Sequence, residues 1–134
     1  MNFRDSIRAS MVGLAVGDAL GHPASFVPTV GALRERFGAA GITGFEAEGR
    51  HAPGTFTDDT QMAVAVARAI CRAGVRDRDA AMVALGEELM AWSRSPLNNR
   101  APSGTCLAAC RNLARGTPWR DAGVKGSRGA SSAT

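Results

Sequence analysis

The sequence predicts an all-α protein. Along every patterned segment apolar residues recur three and four positions apart, which is the spacing of one helix face. No segment alternates strictly between apolar and polar residues, as a half-buried strand would. With 134 residues, 45% of them hydrophobic and 21% charged, the chain has the composition of a globular protein of at most one domain.

Charge and cysteine content narrow the functional classes. The net charge is +4, but the basic residues are scattered, so no nucleic-acid groove is indicated. Cys71, Cys106 and Cys110 all lie in apolar, alanine-rich stretches, which predicts reduced, buried thiols in a cytoplasmic protein. No apolar stretch approaches the length of a membrane span.

Residues 3–20 are predicted to form the first helix, and its second half is apolar all round, as Met11, Val12 and Val16 show. Such a surface predicts burial. Within 134 residues it has too few partners to be fully covered, so we also expect apolar faces to be exposed. Asp18 lies in this apolar end, where a carboxylate is rare unless it is paired or bound to a metal. An arginine or loop amides would satisfy it equally well.

Glycines recur every fourth residue from Gly13 to Gly21, which predicts close helix packing and a glycine stop. Residues 29–37 are predicted to form a short helix that ends at Gly38. Residues 38–56 lack periodicity, and this is long for a structureless loop in a compact domain. The loop is either functional or a disordered surface excursion.

The stretch Thr57-Asp58-Asp59-Thr60 follows a Pro-Gly loop and opens a predicted helix over 58–73. Two adjacent carboxylates between two threonines are hard oxygen ligands, which suit Mg²⁺, Mn²⁺ or Ca²⁺ rather than zinc. The same residues also suit a helix cap, with Thr57 or Asp58 as the N-cap and Gln61 closing a box-like arrangement. Both roles are compatible, because a helix start is a rigid place from which to present carboxylates.

Two further helices are predicted, over 79–92 with an N-cap from Asp77 or Asp79, and over 104–115. A polar loop with two prolines opens the second of these. The backbone N–H groups at such a helix start favour an anion, although Ser103 could simply cap the helix. We expect a helical domain over 1–120 and a disordered tail over 121–134.

Three blocks in order carry a family resemblance: Gly13-Leu14-Ala15-Val16-Gly17-Asp18-Ala19-Leu20-Gly21, Thr57-Asp58-Asp59-Thr60-Gln61-Met62, and Asn99-Arg100-Ala101-Pro102 leading to Thr105-Cys106-Leu107-Ala108-Ala109. Together they resemble the ADP-ribosylglycohydrolases, which include the dinitrogenase reductase-activating glycohydrolases. The resemblance covers residues 8–116.

The resemblance implies a compact all-α fold and a binuclear Mg²⁺ or Mn²⁺ site with Thr57, Asp58 and Asp59 as ligands. It implies hydrolysis of the bond between C1″ of ADP-ribose and a modified arginine or serine of a protein, or of a related small ADP-ribosyl substrate. Asp58 and Asp59 are then also the catalytic carboxylates. The expected substrate-binding residues are Asp18, Asn99, Arg100, Ser103, Gly104 and Thr105.

The chain departs from the family pattern in two places. Ser25 stands where members often carry a glutamate, for which Glu46 or Glu48 are possible substitutes. The Asp-x-Asp-Thr motif that completes the family's metal site is absent. We therefore expect a truncated and incomplete form of the fold, which is marginally stable and catalytically silent on its own. The alternative is a non-catalytic helical module that binds ADP-ribose or another partner.

Overall fold

The computed structural model describes residues 2–126, and this part of the chain is helical, as predicted. Each helix begins and ends within two residues of its predicted bounds. No β-strand occurs within the described residues, where extended backbone pairs only in an isolated bridge between Glu48 and His51. The elements are α1 (Phe3–Gly21), a 3-10 turn (His22–Ala24), α2 (Val30–Phe37), α3 (Asp58–Ala73), α4 (Arg78–Arg94) and α5 (Gly104–Ala114).

The chain divides into two compact units, one ending at Thr60 and the other beginning at Gln61. In the first unit, α1 carries an exposed apolar surface: Val12 is 63% and Val16 47% exposed, although Ala19 is buried. The expected exposure of apolar faces is thus confirmed, and complete burial of this end is not found. Helix periodicity shows which residues share a face, but not whether the chain contains a partner for that face.

The glycine repeat of α1 does not mediate close packing, so that prediction was wrong. A Cβ atom built at Gly13, Gly17 or Gly21 would meet no other heavy atom within 4 Å. Small residues permit two backbones to approach closely, but among the described residues no second backbone lies against this face.

One arginine connects the long loop of the first unit to its helices. The Arg36 guanidinium donates to the Pro23 carbonyl at 3.3 Å and to Glu48 Oε2 at 2.6 Å. α2 ends as predicted at Gly38, whose φ of +80° is readily adopted by glycine and whose N–H donates to the Arg34 carbonyl. The loop over 38–56 is therefore attached through Glu48 to α2 and to the 3-10 turn.

In the second unit, α4 and α5 pack together at Gly86, where a Cβ would lie in ordinary contact with the Leu113 side chain, 3.7 Å away. The Arg72 guanidinium on α3 pairs with Glu87 and Glu88 of α4. Small side chains dominate the buried apolar positions. These positions include Ala65, Ala69, Ala84, Trp92, Cys110 and Ala122.

Cys71, Cys106 and Cys110 form no disulfide, but only part of the burial prediction holds: Cys110 is buried, Cys106 is half-buried and Cys71 is exposed. Alanine neighbours therefore did not mark a covered face near the end of α3. Of the predicted tail over 121–134, residues 127–134 lie outside the described part. Before them, Ala122 is buried and its carbonyl accepts a 3.0 Å hydrogen bond from Asn112 Nδ2.

Candidate functional site

The first unit brings Asp18 onto the start of α3. Thr57 donates to the Asp18 carboxylate twice, from its backbone N–H to Oδ2 at 2.8 Å and from its hydroxyl to Oδ1 at 2.7 Å. Thr60 also donates twice to Oδ2, from its N–H at 3.2 Å and from its hydroxyl at 2.5 Å. Of the alternatives open from the sequence, backbone amides together with two hydroxyls satisfy this carboxylate.

These contacts also cap α3. The Thr57 hydroxyl oxygen accepts the N–H of Asp59 at 3.2 Å, so Thr57 serves as an N-cap, as predicted. Asp18 accepts the next amide along, that of Thr60. The box-like cap considered for Gln61 is not formed, because its side chain accepts from Trp92 Nε1 at 3.0 Å and donates to the Leu97 carbonyl at 2.9 Å.

The candidate cation ligands lie at this helix start with little access to water. Thr57 is 4% and Asp58 6% exposed, and Asp59 is half-buried. The positive end of the α3 dipole stabilises carboxylates in this first turn. A divalent cation bound beside these two carboxylates would interact favourably with both of them.

The donor set fits a hard cation in its chemistry. One hydroxyl and two carboxylate groups are oxygen ligands of the type that Mg²⁺ and Mn²⁺ prefer, and Mg²⁺ commonly retains several waters. Within residues 2–126, however, no three His, Cys, Asp or Glu side chains gather into a metal-binding group. The described part of the chain therefore offers oxygen ligands of a suitable type but no assembled group of three.

At the position where family members often carry a glutamate, this chain has Ser25, which has no carboxylate. The Ser25 hydroxyl donates to the Gly21 carbonyl at 3.4 Å. Of its two possible substitutes, Glu48 is ion-paired with Arg36, and Glu46 is exposed. The Arg36 pairing makes Glu48 a structural residue of the loop.

The remaining predicted site residues belong to the second unit. Ser103 caps α5, with its hydroxyl accepting the Thr105 N–H at 3.3 Å. Just before it, Ala101 has a φ of +54°, in the left-handed region that favours glycine. Asn99 and Gly104 are exposed, whereas Arg100 and Thr105 are half-buried.

Thr105 also lines an apolar pocket of about 360 Å³ within this unit, together with Trp92, Cys106 and Cys110. Burial raises the pKa of the Cys110 thiol, and weaker opposite effects come from a hydrogen bond to Ser93 and from the charge of Arg111. Cys110 is therefore a neutral packing residue at neutral pH rather than a nucleophile.

Two residues have structural contacts that the sequence did not predict. Thr60 holds Asp18 as firmly as Thr57 does, and Gln61 bridges α4 to the loop that follows it. Thr60 could have been found from the symmetry of two threonines around two aspartates. Nothing local in the sequence indicates the partners of Gln61, which lie 31 and 36 residues away.

Comparison with known proteins agrees with this arrangement. The family described as ADP-ribosylglycohydrolase matches residues 1–134. The chain is 32% identical over 103 residues to the ADP-ribosylarginine hydrolase Tri1 of Serratia proteamaculans (strain 568), which covers 77% of this chain. That match spans only 25% of the relative's length. No solved structure matches the chain significantly.

Across the described residues, no helix combines the length and hydropathy that a membrane span requires. The match over all 134 residues, together with the helical structure and the motif at the start of α3, establishes the family. The chain belongs to the ADP-ribosylglycohydrolase family.

Proposed function

We propose that this chain carries part of the site of a metal-dependent hydrolase that removes ADP-ribose from modified arginine side chains. The observation that carries the proposal is the buried Thr57-Asp58 pair at the start of α3, with Asp59 beside it, in a chain of this family. Arginine is preferred over serine because the Serratia relative is named an ADP-ribosylarginine hydrolase.

The proposed cation is Mg²⁺ or Mn²⁺, held by the Thr57 hydroxyl and the carboxylates of Asp58 and Asp59. When bound, such an ion orients the ribose hydroxyls and lowers the pKa of a coordinated water. One of the two carboxylates accepts the proton of the attacking water, and both stabilise positive charge at C1″ as the bond to the guanidine nitrogen breaks. The new C1″–O bond completes free ADP-ribose, and the carboxylate passes the proton taken from water to the departing guanidine nitrogen, which restores the carboxylate.

We assign binding of ADP-ribose to the segment from Asn99 to Thr105. The backbone N–H of Gly104 and the hydroxyl of Thr105 lie in the first turn of α5, where partial positive charge favours a phosphate. The Arg100 guanidinium is suited to pair with a pyrophosphate oxygen, because arginine donates in a planar fork.

A second candidate function is that of an ADP-ribose-binding module without catalysis. It is favoured by one observation: within the described part of the chain no group of three His, Cys, Asp or Glu side chains could hold a metal ion. The two candidates share the loop before α5 and differ in whether binding depends on a cation.

Calorimetry with ADP-ribose, with and without Mg²⁺, separates the candidates. We expect Mg²⁺-dependent binding that Asp58→Asn and Asp59→Asn each weaken by about tenfold or more. The matched control is Asp77→Asn, which alters a capping aspartate of α4. An ADP-ribose affinity that is unchanged by Mg²⁺ and by these substitutions would support the non-catalytic module. No binding at all would overturn both candidates.

Turnover is measured on the same samples by release of ADP-ribose from ADP-ribosylarginine. Because the chain spans a quarter of its relative, we expect it to release little product alone. The substitutions equivalent to Asp58→Asn and Asp59→Asn in the Serratia relative should abolish that protein's release of ADP-ribose. Full activity of both variants would exclude these carboxylates from catalysis.

A further inference from the structure

The contacts of Asp18 do more than hold two segments together. An ionised carboxylate only accepts hydrogen bonds, so the hydroxyl proton of Thr57 must point towards Asp18 Oδ1, 2.7 Å away. A threonine hydroxyl has one proton and two lone pairs. The amide of Asp59 occupies one lone pair of Thr57 Oγ1 at 3.2 Å.

We infer that Asp18 is a positioning residue, which fixes the hydroxyl proton of Thr57 and so keeps the second lone pair available to a divalent cation. The inference rests on the proposed function only in taking Thr57 as a cation ligand. If the proton were free to rotate, it would point towards the cation in part of the population and weaken this ligand. Asp18 then acts on the cation without binding it, and it acts through Thr57.

The substitution Asp18→Asn separates this positioning role from a purely structural one. The carbonyl oxygen of an asparagine at position 18 could still accept the two backbone amides of Thr57 and Thr60, so the cap of α3 would survive. Its NH₂ group, facing Thr57 Oγ1, would instead donate to that oxygen. The lone pair would be consumed and the threonine proton released, although the fold is retained.

The test measures Mn²⁺ affinity of the full chain by electron paramagnetic resonance for wild type, Asp18→Asn, Thr57→Val and the double variant. We expect each single substitution to weaken Mn²⁺ binding by about 10- to 100-fold. The double variant should be no weaker than Thr57→Val, because Asp18 has no effect without the hydroxyl. The control is Asp5→Asn, which neutralises an exposed carboxylate on the same helix and should leave affinity unchanged.

Wild-type affinity in Asp18→Asn, alongside a loss in Thr57→Val, would overturn the inference and leave the proposed function standing. The inference would also be overturned if the wild type bound no Mn²⁺, or if the fold-loss of Mn²⁺ affinity in the double variant equalled the product of the two single losses. In the first of these cases the proposed cation site fails as well.

A second measurement needs neither a cation nor a folded variant. In the wild type, the hydroxyl proton of Thr57 should exchange slowly enough with water to give its own NMR signal, because the side chain is 4% exposed and bonded to a carboxylate. A hydroxyl proton in fast exchange with water would contradict the fixed orientation.

Discussion

Ala101 has backbone strain at a single residue of the loop before α5. Its φ of +54° costs an L-residue with a side chain about 1–2 kcal/mol, whereas glycine adopts it freely. Strain of this kind persists when the surrounding structure imposes it, and it is concentrated at ligand-binding sites. In this chain it precedes Ser103 and Gly104, which we assign to ADP-ribose binding.

Ala101→Gly should therefore stabilise the protein by up to about 1 kcal/mol, because the relieved strain exceeds the added entropy of the unfolded chain. Ala101→Val should destabilise it, since a β-branched side chain is disfavoured at positive φ. Urea unfolding of the three proteins measures both changes. A destabilised glycine variant would show that this backbone conformation carries no strain.

At the same scale, the residues of the candidate site stay a prediction, and the sequence did not indicate their hydrogen-bond partners. Thr57, Asp58 and Asp59 are adjacent, so their shared chemistry could be recognised from the sequence alone. Asp18 was identified as an unusual carboxylate, but its partners lie 39 and 42 residues away. No periodicity encodes a contact of that kind, and only the folded chain shows it.

Among the helices, α4 offers the clearest test of a cap. Asp77 Oδ1 accepts the N–H groups of Asp79 and Ala80 at 2.9 and 3.0 Å, and it satisfies two amides of the first turn. Asp77→Ala should cost about 1 kcal/mol of unfolding free energy, whereas Asp77→Asn should retain most of the cap because its carbonyl oxygen still accepts.

Circular dichroism in urea measures the unfolding midpoint of both variants, and the slope of unfolding free energy against urea concentration should not change. Equal losses for alanine and asparagine would mean that the charge of Asp77, not its hydrogen bonds, stabilises the helix.

Helix bounds were predictable throughout, because caps and glycine stops act within one turn. The exposure of Cys71 and of the glycine face of α1 was not, since both depend on what lies opposite.

For the whole molecule, the balance of apolar surface predicts self-association and marginal stability. Many of the buried apolar positions are alanines, whereas α1 exposes Phe3, Val12 and Val16 to water. Burying a valine fully contributes about 1.5–3 kcal/mol, so two copies of the chain gain by covering these side chains.

Sedimentation velocity over a range of concentrations should show oligomers of the wild type. Val12→Glu combined with Val16→Glu should lower the association constant by about tenfold or more. Ser10→Glu, at an exposed position on the same helix, controls for added charge. A wild-type chain that stays monomeric at all concentrations, and melts in a sharp cooperative transition, would contradict the prediction.

The hydrogen bonds between Asp18 and Thr57 also determine when the candidate site exists. They close a loop of 39 residues, and closing such a loop costs more entropy than forming a local helix turn. We therefore expect the first turn of α3 to be completed later in folding than its other turns. The unfolded chain presents these carboxylates on a mobile segment without Asp18 beside them. A cation that binds here would favour the folded chain over the unfolded chain, so we expect millimolar Mg²⁺ to raise the melting temperature by mass action.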